Sequence, residues 1–525
     1  MTPRLALPLI VCALLPLHAA GQVPVRRVAS ADQPAPGTIG QNFASIGVPS
    51  IDPMGRIMFP SGLNNSSPEG STRGIWVYGP SGGARVFHDG TTQPQTPPGV
   101  RWTVFPTTVF GFDSAGRVFF DSLFTLNGAG GSSVVAFWVG PPENVSLVVR
   151  HRDPAPGPPG TVFEVLGPPL SSEPKFATEA GGVAFCGSLA GPGVNTTNDD
   201  GVWATVAGTL ATIAREGSPA PGVTPAATFT NGFSRPRLAA DGGLVFSGTY
   251  LAGATPGQAI YRSAPGGPLA AVAHTGEAAP GGNGATFTGF NLPAIAPGGA
   301  VAAVAGLSDG RSGIWSGQTL SFRAVTGQEP PGLPGQEFSG FQRPMLDDLG
   351  RTAFRASFRD AATGSHAGHG VWIEKTGSME LLFSTRMPLP PSLNAQGLAS
   401  IGNFCLNNSG QIAFIGVLSG PGINSSNDDA LLATDPNGSL VVVAREGGML
   451  EYAPGAFAVA RFLAMNFDEL GGGRVGQALN DAGQLTFRAE LFGIGDSILV
   501  ANVPPAGPLS LGLVCTVLLA RRRRA

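Results

Sequence analysis

The sequence predicts an all-β fold, a single closed β-propeller of eight four-stranded blades, on three observations. A five-residue frame, Gly-x-x-x-Phe, begins eight times along the 525 residues. Each frame is followed by a large apolar residue on a second strand-length run, about 60 residues from its predecessor. A turn near Ala-Pro-Gly then closes each unit, in the same order throughout.

Composition sets the background. Gly 78 and Pro 48 make up about a quarter of the chain, a share at which disorder has to be weighed. The 42% of hydrophobic residues argues against disorder, because enough apolar surface is present to offset chain entropy. Gly and Pro also recur at fixed places between apolar runs, as turn punctuation does. No run sustains a helical period.

The frame begins at Gly55, Gly116, Gly181, Gly242, Gly298, Gly350, Gly410 and Gly483. Its aromatics are Phe59, Phe120, Phe185, Phe246, Phe354, Phe414 and Phe487, and the fifth copy departs with Ala302. Asp52, Asp113, Asp347, Asn407 and Asn480 stand three residues before their glycines. Asp and Asn bond their own backbone and Gly accepts positive φ, so the frame reads as a tight hairpin entering a half-buried strand. The second marker is Trp76, Trp138, Trp203, Tyr261, Trp315, Trp372, Leu432 and Leu499. The closing turn falls at Pro36, Pro98, Pro156, Pro221, Pro280, Pro334, Pro390 and Pro454.

Within the third unit, strand-length runs cover 175–178, 182–188, 201–206 and 210–215. Four short strands in about 60 residues make one propeller blade. The last unit has runs at 473–479, 484–491 and 497–503 but no fourth. Residues 25–29, followed by the closing marker at 33–37, offer the missing piece. This N-terminal strand is expected to complete the last blade and remove the open edges. The Trp and Phe positions are expected to pack between neighbouring blades. Should the degenerate fifth or eighth unit be incomplete, the count falls to seven.

Residues Asn407-Asn408-Ser409-Gly410-Gln411-Ile412-Ala413-Phe414 and Asn480-Asp481-Ala482-Gly483-Gln484-Leu485-Thr486-Phe487 fit Asn-x-x-Gly-x-x-x-Phe. In this the chain resembles the exported bacterial tandem-repeat proteins defined by that NxxGxxxF motif, over nearly its whole length. The resemblance implies secretion and a C-terminal anchor, and no particular activity.

The two ends carry their own signals. Arg4, the apolar residues 5–17 and Ala19-Ala20-Gly21 form a secretory leader, expected to be removed as residues 1–21. At the other end Pro504-Pro505-Ala506-Gly507 breaks the fold, residues 509–520 are apolar, and Arg521 to Arg524 close the chain. A helix over that run would reach about 18 Å, short of a hydrocarbon core of about 30 Å. The tail, residues 504–525, resembles PEP-CTERM sorting signals, which implies processing by an exosortase-like enzyme and retention at the cell surface or outer envelope. It departs from that pattern in having Val503-Pro504-Pro505-Ala506 in place of Val-Pro-Glu-Pro. The propeller is thus expected over 22–503.

Of 31 basic residues, Arg4 and the four tail arginines fall in the ends, leaving 26 against 34 acidic ones. So acidic a body makes nucleic acid an unsuitable partner. Cys12 and Cys515 also lie in the ends, and Cys186 and Cys405 alone make neither a disulfide framework nor a zinc site. Cys186 reads as a small buried hydrophobe, and a bridge to Cys405 stays open.

The most distinctive loops are 191–200 and their copy at 420–429. They concentrate oxygens on Asn195, Asn198, Asp199 and Asp200, then on Asn424, Asn427, Asp428 and Asp429. Hard cations want six to eight oxygens, so calcium is the ion or cofactor such loops could take. The spacing does not match an EF-hand, and a turn held by side-chain-to-backbone bonds accounts for the same residues more simply. Arg215-Glu216-Gly217 and Arg445-Glu446-Gly447 read as solvated turns in opposite blades, and His366-Ala367-Gly368-His369 as an ordinary loop. No phosphate loop, nucleophile elbow or dinucleotide fingerprint is present.

These features favour an exported, envelope-anchored, monomeric binding or structural module. Its partners would be the sorting machinery and an extracellular glycan or surface protein. The alternative is an extracellular polysaccharide hydrolase or lyase using the propeller channel, a reading that rests on fold analogy.

Overall fold

The computed structural model describes residues 23–64, 72–88, 100–103, 110–126, 133–166, 176–179, 181–291, 293–435, 438–466 and 477–504. The leader, Pro98 and the tail beyond Pro504 lie outside the described residues. Eight antiparallel sheets follow one another along the chain, one for each sequence repeat, and together they form an eight-bladed propeller. Blade one shows the plan: Phe43–Ile46 with Ser50–Ile51, then Ile57–Leu63, Arg73–Gly79 and Gly82–His88. The first strand is broken in two, and its short second half faces the axis. Around the ring Ser50–Ile51 touches Phe110–Phe112, and Arg237–Leu238 touches both Phe176–Glu179 and Ala294–Ile295.

The two strongest sequence markers meet in register. Phe59 lies opposite Trp76, Phe120 opposite Trp138, Phe185 opposite Trp203, and Phe246 opposite Tyr261. Phe354 faces Trp372, Phe414 faces Leu432 and Phe487 faces Leu499. Directly opposed residues on one sheet face are the closest cross-strand neighbours, so each blade carries one large apolar pair at the same height. The fifth blade corrects the sequence alignment by one residue. Trp315 faces Ala303 rather than Ala302, and the turn bond Ala296 N–H to Ala300 O makes Gly299, not Gly298, the counterpart of Gly55.

The closing turn also needs correction. It belongs to the start of the next blade, where it hairpins onto the first strand: Pro34 bridges Asn42, Pro154 bridges Val162, and Pro219–Ala220 pairs with Ala227–Phe233. A buried indole needs a partner for its N–H. Trp76 donates to Pro36 O at 3.0 Å, Trp315 to Pro280 O at 2.9 Å and Trp372 to Pro331 O at 3.0 Å. Two markers about 40 residues apart in sequence are therefore joined in one blade, and in the sixth blade the acceptor is Pro331, three residues before the expected Pro334.

The core is a ring of separate clusters in the interfaces between blades, two of them, around Phe354 and around Ala302, lying between blades five and six. Met58, Val77, Phe112, Phe120 and Trp138 fill the first interface. Ile498 and Val500 of blade eight meet Phe43, Phe59 and Trp76 of blade one. This is the inter-blade packing expected of the aromatics. The N-terminal strand Val25–Ser30 pairs antiparallel with Gly495–Asn502, completing blade eight as its outermost strand.

At the axis, frame turns tie neighbouring blades together. Asp52 Oδ1 accepts from Met54 N at 2.9 Å and Arg56 N at 2.7 Å, and Gly55 closes the turn at φ 79°. That φ suits glycine and strains other residues. Asp52 Oδ2 holds Arg56 Nε at 2.6 Å, and the same guanidinium donates to Gly116 O of blade two. Arg351, held by Asp347, likewise donates to Asn408 O of blade seven at 2.7 Å. The two body cysteines are buried, Cys186 in blade three and Cys405 in blade seven, and no bridge joins them.

Candidate functional site

The latched frame turns occupy one face of the ring. Antiparallel order places the links from second to third strand, and from each blade to the next, on the opposite face. The two Asn/Asp loops lie there, in blades three and seven, between Gly182–Ala190 and Asp200–Val206 and between Ile412–Ser419 and Asp429–Thr434.

The two loops are built alike, bond for bond. Asn195 Oδ1 accepts from Thr197 N at 3.0 Å and Thr197 Oγ1 at 2.7 Å. Asn424 Oδ1 accepts from Ser426 N at 3.0 Å and Ser426 Oγ at 2.7 Å. Asn198 takes the Asn195 N–H on Oδ1 at 2.9 Å and gives its own amide to Gly193 O at 3.1 Å. Asn427 repeats this with Asn424 N at 2.8 Å and Gly422 O at 3.0 Å. The four amides are thus engaged in shaping their own turns.

The carboxylates are differently placed. Each Arg-Glu-Gly turn, expected to be solvated, is tied to its loop. Glu216 N donates to Asp200 O at 2.9 Å and Arg215 Nε to Asn198 O at 2.6 Å. In blade seven Glu446 N donates to Asp429 O at 2.8 Å, Arg445 Nε reaches Asn427 O at 3.3 Å, and Glu446 is only 9% exposed. The signal was in the sequence: the Arg-Glu-Gly turn recurs in the two units that carry the ten-residue loop.

Each cluster therefore gathers two aspartates and a glutamate. Burial raises the Glu216 carboxyl above its ordinary range, and the charges of Asp199 and Asp200 add to this. Burial, then Asp199, raises Asp200 in the same sense. In blade seven burial lifts Glu446 and Asp429, with Asp429 and Asp428 adding to the first and Asp428 to the second. Glu216 Oε2 is buried with no hydrogen-bond donor among the described residues. Such groups accept a proton, a donor-bearing ligand or a positive charge readily, since each relieves crowded like charge. Among the described residues no three His, Cys, Asp or Glu side chains are grouped closely enough to hold a metal ion by themselves.

His366 and His369 open the third strand of blade six, His366–Lys375, instead of lying in a loop. Their rings stand 4.9 Å apart, and burial, Arg355 and His366 together lower the His369 pKa.

Comparison with known proteins gives a family without a known role. The model of a family of unknown function, DUF7453, matches residues 17–316 and 250–505. No curated protein matches the chain in sequence. Among solved structures, the Dos1 propeller is similar at TM-score 0.36 and 9% identity, covering 92% of this chain and 94% of that one. The polysaccharide lyase Uly1 follows at TM-score 0.33 and 10% identity, over 92% and 100% of the two chains. An α-L-arabinanase of Penicillium chrysogenum, complexed with arabinobiose, gives TM-score 0.27 and 12% identity over 65% and 98%. The activities named are those of the other proteins.

Proposed function

The chain belongs to the DUF7453 family of unknown function, and on that footing we propose that it is a binding module exported to the cell envelope and held there by its C-terminal tail. One observation carries the binding part of this reading. A carboxylate cluster with the same scaffold bonds occurs twice, in opposite blades of one ring and on one face. A duplicated site suits a ligand that repeats, such as a matrix polymer or an arrayed surface protein, because two modest contacts then act at high effective concentration. The ligand would bring donors, or a cation such as calcium that it also coordinates, to Asp199, Asp200 and Glu216 and to Asp428, Asp429 and Glu446. The leader and tail signals support the envelope address.

The test is thermal unfolding of the processed chain with calcium and with a panel of polysaccharides. The reading expects a rise in midpoint with one addition, lost in the Asp199→Ala/Asp428→Ala double variant. A flat response across the panel would overturn it.

The Glu216 carboxyl, raised by burial and by Asp199, supports the second reading, an extracellular polysaccharide hydrolase or lyase, since a general acid must hold its proton to higher pH than an ordinary carboxyl does. That reading expects new reducing ends or unsaturated products from the same panel, and their loss in Glu216→Gln.

A further inference from the structure

A concavity of about 540 Å³ opens on the same face across blades four, five and six. Gln258 enters it from the third strand of blade four, Thr255–Ser263. Thr288 and Asn291 come from the first strand of blade five and its end, and Ser312 from the start of that blade's third strand. Gly340 and Phe341 end the first strand of blade six, Gln336–Phe341. Among the described residues no ionisable side chain lines this cleft, in a protein whose other candidate sites are acidic.

Its polar groups are not exhausted. Gln258 Oε1 accepts from Phe290 N at 2.8 Å, which orients the amide. Its Nε2 is left with a 3.5 Å contact to Ser247 Oγ, the outer limit of a hydrogen bond. Thr288 and Asn291 are exposed, and both carry hydroxyl or amide groups free to turn toward a ligand. Phe341 is half-buried, its ring held at 5.1 Å from Phe338 and 5.6 Å from Phe354. Small residues keep the space open: a side chain at Gly306 would stand 2.8 Å from Thr288 Oγ1, while one at Gly340 would meet nothing within 4 Å.

A few placed neutral donors and acceptors beside a rigid aromatic suit a ligand with hydroxyls on its edges and a C–H face. A charged ligand would lose hydration here without meeting an opposite charge. We propose that this cleft binds an uncharged oligosaccharide, with a sugar ring laid on Phe341 and its hydroxyls bonded by Gln258, Thr288 and Asn291. The proposal rests on the binding-module reading and names a ligand class for it at a separate place on the same face.

Isothermal titration of the processed chain with cellohexaose, xylohexaose and maltohexaose, and with hexagalacturonate as the charged comparison, tests it. At least one neutral hexasaccharide should bind and hexagalacturonate should not. Gly340→Leu, whose Cβ would meet nothing within 4 Å, should weaken binding about tenfold or more with the melting temperature unchanged. Phe341→Ala should do the same, and Asp199→Ala/Asp428→Ala should leave this binding intact. Absence of binding by all three neutral sugars, or full binding by Gly340→Leu, overturns the cleft assignment. Binding that is lost in the aspartate double variant instead also overturns it, while leaving the binding-module reading standing.

Discussion

Asn480 Nδ2 donates to the Asp52 carbonyl at 3.0 Å, joining residues 428 positions apart and blade eight to blade one. Asn407 makes the same bond to Asn480 O at 3.0 Å one interface earlier. The frame thus latches blades by two chemistries. Where it begins with Asp, as at Asp52, Asp113 and Asp347, an arginine four residues on is held by the carboxylate. Arg56 and Arg351 then reach the next blade's backbone. Where it begins with Asn, the amide reaches across itself, and a glutamine takes the arginine's place.

This pairing predicts a rescue. Asn480→Asp leaves the Asp52 carbonyl without its donor and sets a carboxylate against Gln484 Oε1, so it should cost about 1–3 kcal/mol. Adding Gln484→Arg should recover much of that loss. Chemical denaturation of the three proteins decides it: a double variant no more stable than Asn480→Asp refutes the two-chemistry account.

Ring closure depends on the N-terminal strand. Ala29 is fully buried in the cluster holding Phe43 and Trp76, and its strand covers the edge of Gly495–Asn502. Deleting residues 22–31 should expose that edge and promote association. Size-exclusion chromatography and thermal unfolding should show oligomers and an earlier transition; a monomer melting as before would contradict the closure.

The indole-to-proline bonds can be separated from indole packing. Trp315→Phe removes the donor to Pro280 O and should cost about 1 kcal/mol. Trp315→Ala also empties a fully buried site and should cost about 3–5 kcal/mol. Equal losses in urea titrations would mean that the bond contributes everything and the packing nothing.

The acidic clusters make a signed prediction about pH. Folding raises the Glu216 carboxyl, so the folded state holds its proton to higher pH than the unfolded chain. Its favourable contribution is complete below the unfolded carboxyl range, about pH 4, and is lost as pH rises through the folded value. Glu216→Gln should therefore raise the melting temperature at pH 7, with the difference shrinking toward pH 4. A difference that grows on acidification would show that Glu216 is instead stabilised as an anion.

The cysteines should be inert in the native state. Burial pushes the Cys186 thiol up to about 12, and Cys405 is fully buried in another blade. Mass spectrometry should find both thiols free, unmodified by iodoacetamide in buffer and alkylated in guanidinium. A Cys186–Cys405 peptide pair would contradict the fold.

The blades, their number and the N-terminal closing strand were legible in the residues themselves. Turn chemistry and strand alternation are local, and eight repetitions remove the ambiguity of any one copy. The one-residue shift at Ala303 escaped because Pro297-Gly298-Gly299 offers two adjacent glycines, both with positive φ, and register is decided by the partner strand. Tertiary structure alone decided what crosses between elements. The joining of Glu216 to Asp199 and Asp200 depends on how fourth and third strands end side by side, and the neutral cleft draws on three blades. Sequence determined this protein's local conformations, because each is set within a few residues. Its candidate surfaces were decided by the ring, because charge and cavity depend on distances that only closure defines.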